Sequence, residues 1–140
     1  MGKRGNYVRL IAILMVCSIL TLSCEDTTDQ KSGVNNIIDT WQCKETSTTY
    51  GQSTYSVNIT KSSTDSTKVF IDNFYQMGAG NKVTAKLSGL TLSIPNQTVD
   101  GFAITGSGTI SSNYKTINWT YVVNDGAEVD HATAVYSKIP

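Results

Sequence analysis

Arginine is nearly missing: Arg4 and Arg9 are the only two, and none occurs in the 131 residues that follow. Paired guanidinium contacts are the usual device for gripping phosphates, so with no basic run either, nucleic acid is not an expected partner. Histidine is as scarce, with His131 alone. A catalytic triad or a zinc site would need partners brought to that histidine by folding, and in a strand the adjacent Asp130 faces the other way. No glycine-rich phosphate loop and no Gly-x-Ser-x-Gly elbow occurs. The expectation is therefore a protein that is not an enzyme, with no catalytic residues, no metal and no cofactor. Proline is limited to Pro95 and Pro140. No apolar run reaches the ~20 residues of a membrane-spanning helix.

The longest apolar run, residues 10–20, follows Lys3, Arg4 and Arg9. As a helix it would extend about 16 Å, half of the ~30 Å of bilayer hydrocarbon. A basic start, a short apolar core and a small residue before a cut site describe a secretory signal instead. The segment Leu20-Thr21-Leu22-Ser23-Cys24 resembles the lipobox of bacterial lipoproteins, with Thr21 where that family usually carries Leu, Val or Ile. The resemblance implies cleavage of residues 1–23 and a lipid anchor at Cys24, palmitate-type acyl chains holding the chain to the outer membrane. Two or three chains at ~0.8 kcal/mol per buried CH₂ give lasting attachment, where one would come off. Glu25-Asp26-Thr27-Thr28-Asp29 is similar to the surface-export signal of Bacteroidetes-type lipoproteins, and it equally suits a solvated tether. The expected location is the cell envelope, on the outer membrane and at the cell surface. Residues 24–36 read as a flexible acidic tether, with Val34, Ile37 and Ile38 able to form one short helical turn.

Beyond residue 23 remain 117 residues with eight lysines against eleven acidic residues, a net charge of −3. That length buries roughly two thirds of the unfolded surface without help from disulfides. Cys17 falls in the signal and Cys24 carries the lipid, so Cys43 has no partner. It keeps phase with Trp41, which predicts a buried, inert thiol, with Lys44 on the opposite face.

From Thr40 onward the apolar pattern has period two, the mark of strands with one buried face. Tyr55, Val57 and Ile59 alternate with Ser56, Asn58 and Thr60. Leu90, Leu92 and Ile94 alternate with Thr91 and Ser93. Ile117, Trp119, Tyr121 and Val123 alternate with Thr116, Asn118, Thr120 and Val122. Weaker runs at 41–46, 69–73, 83–87, 102–110 and 132–136 bring the expected strands to eight. Turn signals separate them, such as Gly78-Ala79-Gly80-Asn81 and Asn124-Asp125-Gly126. No connection is long enough for a crossover helix, so the sheet must be antiparallel. Closure into an up-and-down barrel removes exposed edges, and a two-layer sandwich is the alternative. Gly106 and Gly108 share the inward parity of Phe102, Ile104 and Ile110, either as a kink or as space for a ligand.

The opening Ile38-Asp39-Thr40-Trp41 resembles the Gly-x-Trp start of lipocalin-like barrels, with Asp39 where that family's glycine is common. Together with Leu92-Ser93-Ile94-Pro95-Asn96-Gln97 it looks like small lipocalin-like lipoproteins of the Bacteroidetes. The resemblance implies an eight-stranded antiparallel lipocalin-like barrel over residues 37–140, with the tryptophan plugging its closed end. It further implies a calyx able to hold a small apolar or amphipathic ligand.

The reading is thus a binding or interaction module tethered to the outer membrane. Its expected ligand-lining residues are Tyr55, Val57, Leu92, Phe102, Trp119, Tyr121 and Tyr136. Its expected partners are the membrane through Cys24 and a small apolar ligand or a surface protein. A filled barrel serving as an accessory surface subunit is the alternative. Residues 70–77 break the alternation, as a strand ending in a bulge or as an apolar patch at the barrel mouth. Asn124-Asp125-Gly126 with Glu128 and Asp130 offers alternate oxygens of the kind calcium takes, without the full loop pattern.

Overall fold

The computed structural model describes residues 29–140, with side chains from Gly33 onward. The expected signal segment, Cys24 and the first part of the tether lie outside the described residues. One helix, α1 (Asp29–Ile37), precedes eight strands. These are β1 (Asp39–Ser47), β2 (Gly51–Lys61), β3 (Lys68–Asp72), β4 (Lys82–Ser88), β5 (Thr91–Val99), β6 (Phe102–Ile110), β7 (Thr116–Asn124) and β8 (Val129–Lys138). Each strand pairs antiparallel with the next, and β8 returns to pair with β1 from Trp41 opposite Lys138 to Ser47 opposite Ala132. The chain is a closed eight-stranded up-and-down barrel, which excludes the sandwich.

The period-two pattern becomes inside and outside. Along β1, Trp41, Cys43, Glu45 and Ser47 are buried while Gln42, Lys44 and Thr46 are exposed. Thr54, Ser56 and Asn58 on β2 and Thr105, Ser107 and Thr109 on β6 continue a polar outer face. That is the reverse of a membrane-spanning barrel, whose outer band is apolar. One residue departs from its expected place: Leu90 lies between β4 and β5 and is exposed, because Gly89 and Leu90 form the turn that joins them.

The helix seals one end. Val34 and Ile37 are buried, and the Trp41 indole Nε1 donates to the Ile37 carbonyl at 3.0 Å. Lys138 Nζ donates to the Asn36 carbonyl at 3.0 Å, pairs with Asp39 at 3.2 Å and lies 5.7 Å from the Trp41 ring centre. The helix therefore begins inside the segment read as tether, because its apolar residues find cover against the barrel floor.

A corner forms where β5 bends. Pairing with β6 passes from Ile94 opposite Gly106 to Gln97 opposite Ile104, one extra residue on β5, and Pro95 sits in this bulge, where a missing N–H does no harm. Beyond it the β4–β5 ladder has stopped, spanning only Lys86–Ser88 against Thr91–Ser93. The Gln97 amide takes over: its Oε1 accepts from the Thr84 N–H at 2.9 Å and its Nε2 donates to the Thr84 carbonyl at 2.7 Å. A side chain thus satisfies a backbone pair that would otherwise lack a partner.

Candidate functional site

Opposite α1, four connections converge: residues 48–50, 73–81, 100–101 and 125–128. The barrel wall is incomplete there. β3 has five residues and pairs with β2 only from Asn58 to Lys61, leaving residues 51–57 of β2 without a strand neighbour on that side. The β3–β4 loop fills the gap. It is held by its own polar side chains: Asn73 Nδ2 donates to the Ser56 carbonyl at 2.8 Å, and Asn73 Oδ1 accepts from the Gly78 N–H at 2.9 Å. Asn81 Nδ2 donates to the Met77 carbonyl at 2.7 Å.

This loop sends Phe74 inward. Its ring is fully buried, 4.6 Å from Tyr121 and 6.1 Å from Trp119 between ring centres, and Trp119 lies 5.7 Å from Tyr136. Such tilted and edge-on pairs add to packing beyond area alone. The inward glycines belong to the same packing. A Cβ on Gly106 would stand 2.4 Å from Tyr121 Cβ, and one on Gly108 would stand 2.8 Å from the Trp119 ring. The space they leave is taken by the neighbouring strand's aromatics and holds no room for a ligand. Around these rings the interior is closely packed.

Above this packing, at the mouth, a cavity of about 500 Å³ remains. Its apolar walls are Tyr50, Tyr75, Met77 and Phe102, and its polar groups include Glu45, Ser53 and Asp100. Tyr75 is the central ring, 6.5 Å from Tyr50 and 6.2 Å from Phe102, edge-on to both.

Glu45 forms the polar floor and is 4% exposed. The hydroxyls of Tyr55 and Tyr121 both donate to its Oε2. Burial, reinforced by neighbouring tyrosines, pushes both phenols far above their usual range, so they remain donors. Among the described residues, no group donates to Glu45 Oε1 and no cation pairs with this carboxyl. Ser53, directly across from Glu45 on β2, has a buried hydroxyl with no partner.

A second buried carboxyl fixes the loops. Asp130, 3% exposed, accepts from Ser47 Oγ and Tyr75 Oη at 2.6 Å, from Thr48 Oγ1 at 2.9 Å and from the Thr49 N–H at 3.1 Å. Burial alone would raise its pKa, but these hydrogen bonds together outweigh burial and hold it well below the ordinary carboxylate range. It ties the β1–β2 turn and the cavity ring Tyr75 to β8.

Backbone strain gathers at the same place. Among the described residues, five other than glycine have positive φ: Asn73, Tyr75, Gln76, Asp100 and Tyr114. Four of them lie in two of the mouth loops, 73–81 and 100–101, and Tyr75, Gln76 and Asp100 line the cavity. Conformations of this kind cost ~1–3 kcal/mol each and cluster at ligand sites.

Of the seven residues expected from the sequence to line a ligand, Phe102 borders this cavity. Tyr55 and Tyr121 reach its floor through Glu45. Leu92, Trp119 and Tyr136 are buried in the core, and Val57, also buried, borders a separate cavity of about 330 Å³ with Ser56, Asn58 and Asp72. Glu45 and Asp130 were legible as inward by parity, with Trp41 and Cys43 on one strand and with Ala132, Ala134 and Tyr136 on the other, but charge hid them. The loop residues Tyr50, Tyr75 and Met77 gave no periodic signal. Cys43 is buried, and burial pushes its thiol up to about 12. His131 is exposed on the outer face, and Cys43, inward on β1, pairs with Tyr136, five residues farther along β8. The oxygens considered for calcium are engaged locally, Asn124 with the Gly126 N–H and Asp125 with the N–H groups of Ala127 and Glu128. Among the described residues, no group of three or more potential metal ligands comes together.

Two solved structures share the architecture. A redesigned β-barrel, b11L5F_LGL, matches with a TM-score of 0.57 at 13% identity, covering 76% of this chain and 95% of that one. The protein EF1p2_mFAP2b, bound to DFHBI, matches with a TM-score of 0.58 at 16% identity, covering 79% of this chain and 99% of that one. At such identities the likeness concerns the fold alone. No protein-family model and no curated protein matches the chain.

Proposed function

We propose that the protein is a lipid-anchored envelope module that binds a small molecule at the mouth of its barrel. The observation that carries the binding site is the mouth cavity itself, about 500 Å³ between strained loops and a buried, half-engaged carboxyl. Small-molecule sites typically occupy ~300–1,000 Å³ and join apolar walls to a few placed polar groups. EF1p2_mFAP2b, a barrel of this architecture, carries DFHBI. The anchor and the outer-membrane location rest on the lipobox-like segment ending at Cys24 and the acidic run after it. The lipocalin-like assignment rests on the Trp41 opening, with the binding region at the rim of the barrel instead of deep within it.

Two experiments test this reading. Intact-mass measurement of the chain expressed in a bacterium should show a mature N-terminus at acylated Cys24, and an unmodified or differently cut chain would overturn the anchor. Amide chemical shifts recorded against a chemically mixed panel of fragments should move at Gly51, Gln76 and Phe102. If no fragment moves these residues, the mouth is not a binding site. The closely packed interior favours the accessory-subunit reading in that event, and crosslinking to a neighbouring surface protein would then support it.

A further inference from the structure

The mouth cavity is acidic and aromatic. Glu45 and Asp100 line it, and among the described residues no Lys, Arg or His does. The adjoining recess, which shares Tyr50, Tyr75 and Phe102, adds Asp125, Glu128 and Asp130, again without a basic residue. Buried carboxyls are ordinarily paired with a cation or saturated by hydrogen bonds. Asp130 meets that rule with four donors. Glu45 is engaged on one side only: both phenols crowd Oε2, while Oε1 accepts nothing among the described residues and is left open to the cavity that Glu45 lines. The three aromatic rings that line the cavity are of the kind whose π-faces attract organic cations. Tyr50 is 70% exposed at the rim, placed to cover an occupant.

The geometry points to an organic cation, a protonated amine or quaternary ammonium group, as the ligand, its charge directed to Glu45 and its body held among Tyr50, Tyr75 and Phe102. This rests on the reading of the mouth as a binding site. A cation supplies the charge partner that the fold withholds from Glu45. An anionic ligand would meet five carboxyl groups and, among the described residues, no base, and a neutral one would offer Glu45 no opposite charge.

The test compares three probes of similar size on the full chain in nonionic detergent by calorimetry: benzyltrimethylammonium, benzyl alcohol and benzoate. The ammonium should bind about tenfold tighter than the alcohol, with benzoate weakest, and should weaken as salt rises. Glu45→Gln should cost the ammonium about tenfold and leave the alcohol nearly unchanged. If the alcohol or benzoate binds as tightly as the ammonium, the cation assignment fails while the mouth stands as a binding site. If none of the three binds yet other fragments shift the mouth amides, the cation assignment again fails alone. If nothing shifts them, both readings fall. Should Glu45→Gln not fold, Tyr50→Ala at the exposed rim decides: a loss of about fivefold confined to the ammonium supports the proposal, and unchanged affinity overturns it.

Discussion

Replacing Gly106 by alanine adds one methyl group, and the structure says where it must go. The new Cβ would lie 2.4 Å from Tyr121 Cβ, 2.7 Å from the Thr120 carbonyl oxygen and 2.8 Å from Tyr121 Cα, against 3.4–4 Å for ordinary contact. Relief requires about 1 Å of movement by backbone, since two of the three neighbours are main-chain atoms. That backbone belongs to β7, laddered on its other side to β8 with Thr120 opposite Thr133 and Tyr121 opposite Ala132. Overpacking of a fixed core costs ~1–3 kcal/mol, and this site belongs at the upper end. Restricting the unfolded chain returns ~0.4–1 kcal/mol, which leaves a net loss of about 2 kcal/mol or more. At ~2 kcal/mol per molar urea, the unfolding midpoint should fall by about 1 M. Urea titrations followed by tryptophan emission and near-ultraviolet circular dichroism measure it. Gly126→Ala is the control, since nothing lies within 4 Å of its added Cβ and only its φ of +91° resists substitution. A Gly106→Ala variant as stable as the parent, or less affected than Gly126→Ala, would refute the idea that these glycines exist to let aromatic side chains in.

Asp130→Asn should loosen the mouth, costing about 2–4 kcal/mol through several lost charge-assisted hydrogen bonds. Because the folded carboxyl titrates below its unfolded value of 3.8, its contribution is fully present above that value and is lost as pH falls below it; acid unfolding curves of Asp130→Asn should show a shallower decline there, and equal slopes would contradict the assignment. Gln97→Ala should cost about 1–3 kcal/mol by orphaning the Thr84 N–H and carbonyl, with faster amide exchange at Thr84; unchanged exchange would mean that the bridge is dispensable. Native Cys43 should resist a thiol reagent at pH 8 and react promptly in denaturant, and rapid labelling of the folded chain would show that its burial is incomplete.

Much of this architecture could be read from residue order. Phe102–Ile110 has the same bounds in the sequence reading and in the structure, although Ala103 at an outward position and Gly106 and Gly108 at inward ones make its alternation one of the weaker ones. Leu90 misled for a local reason: it continues the alternation of Leu92 and Ile94, yet its glycine neighbour makes the pair a turn. The residues of the site were harder to see. Glu45 stands in phase with Trp41 and Cys43, but a carboxyl at an inward position contradicts the rule that inward means apolar, and only the two phenols that meet it explain its presence.

By itself, then, the amino-acid sequence determined the beat of the strands, which side of each faces inward, and that short connections force antiparallel neighbours. These follow from the pleat, which repeats every two residues and needs only local order. The tertiary structure alone decided that Phe74 packs into the barrel interior, that Gly106 and Gly108 yield their space to Tyr121 and Trp119, and that Tyr50, Tyr75 and Phe102 meet around a cavity. Those outcomes depend on loops and on strands distant in the chain, whose meeting is fixed by closure of the barrel and leaves no periodic trace in the residues themselves.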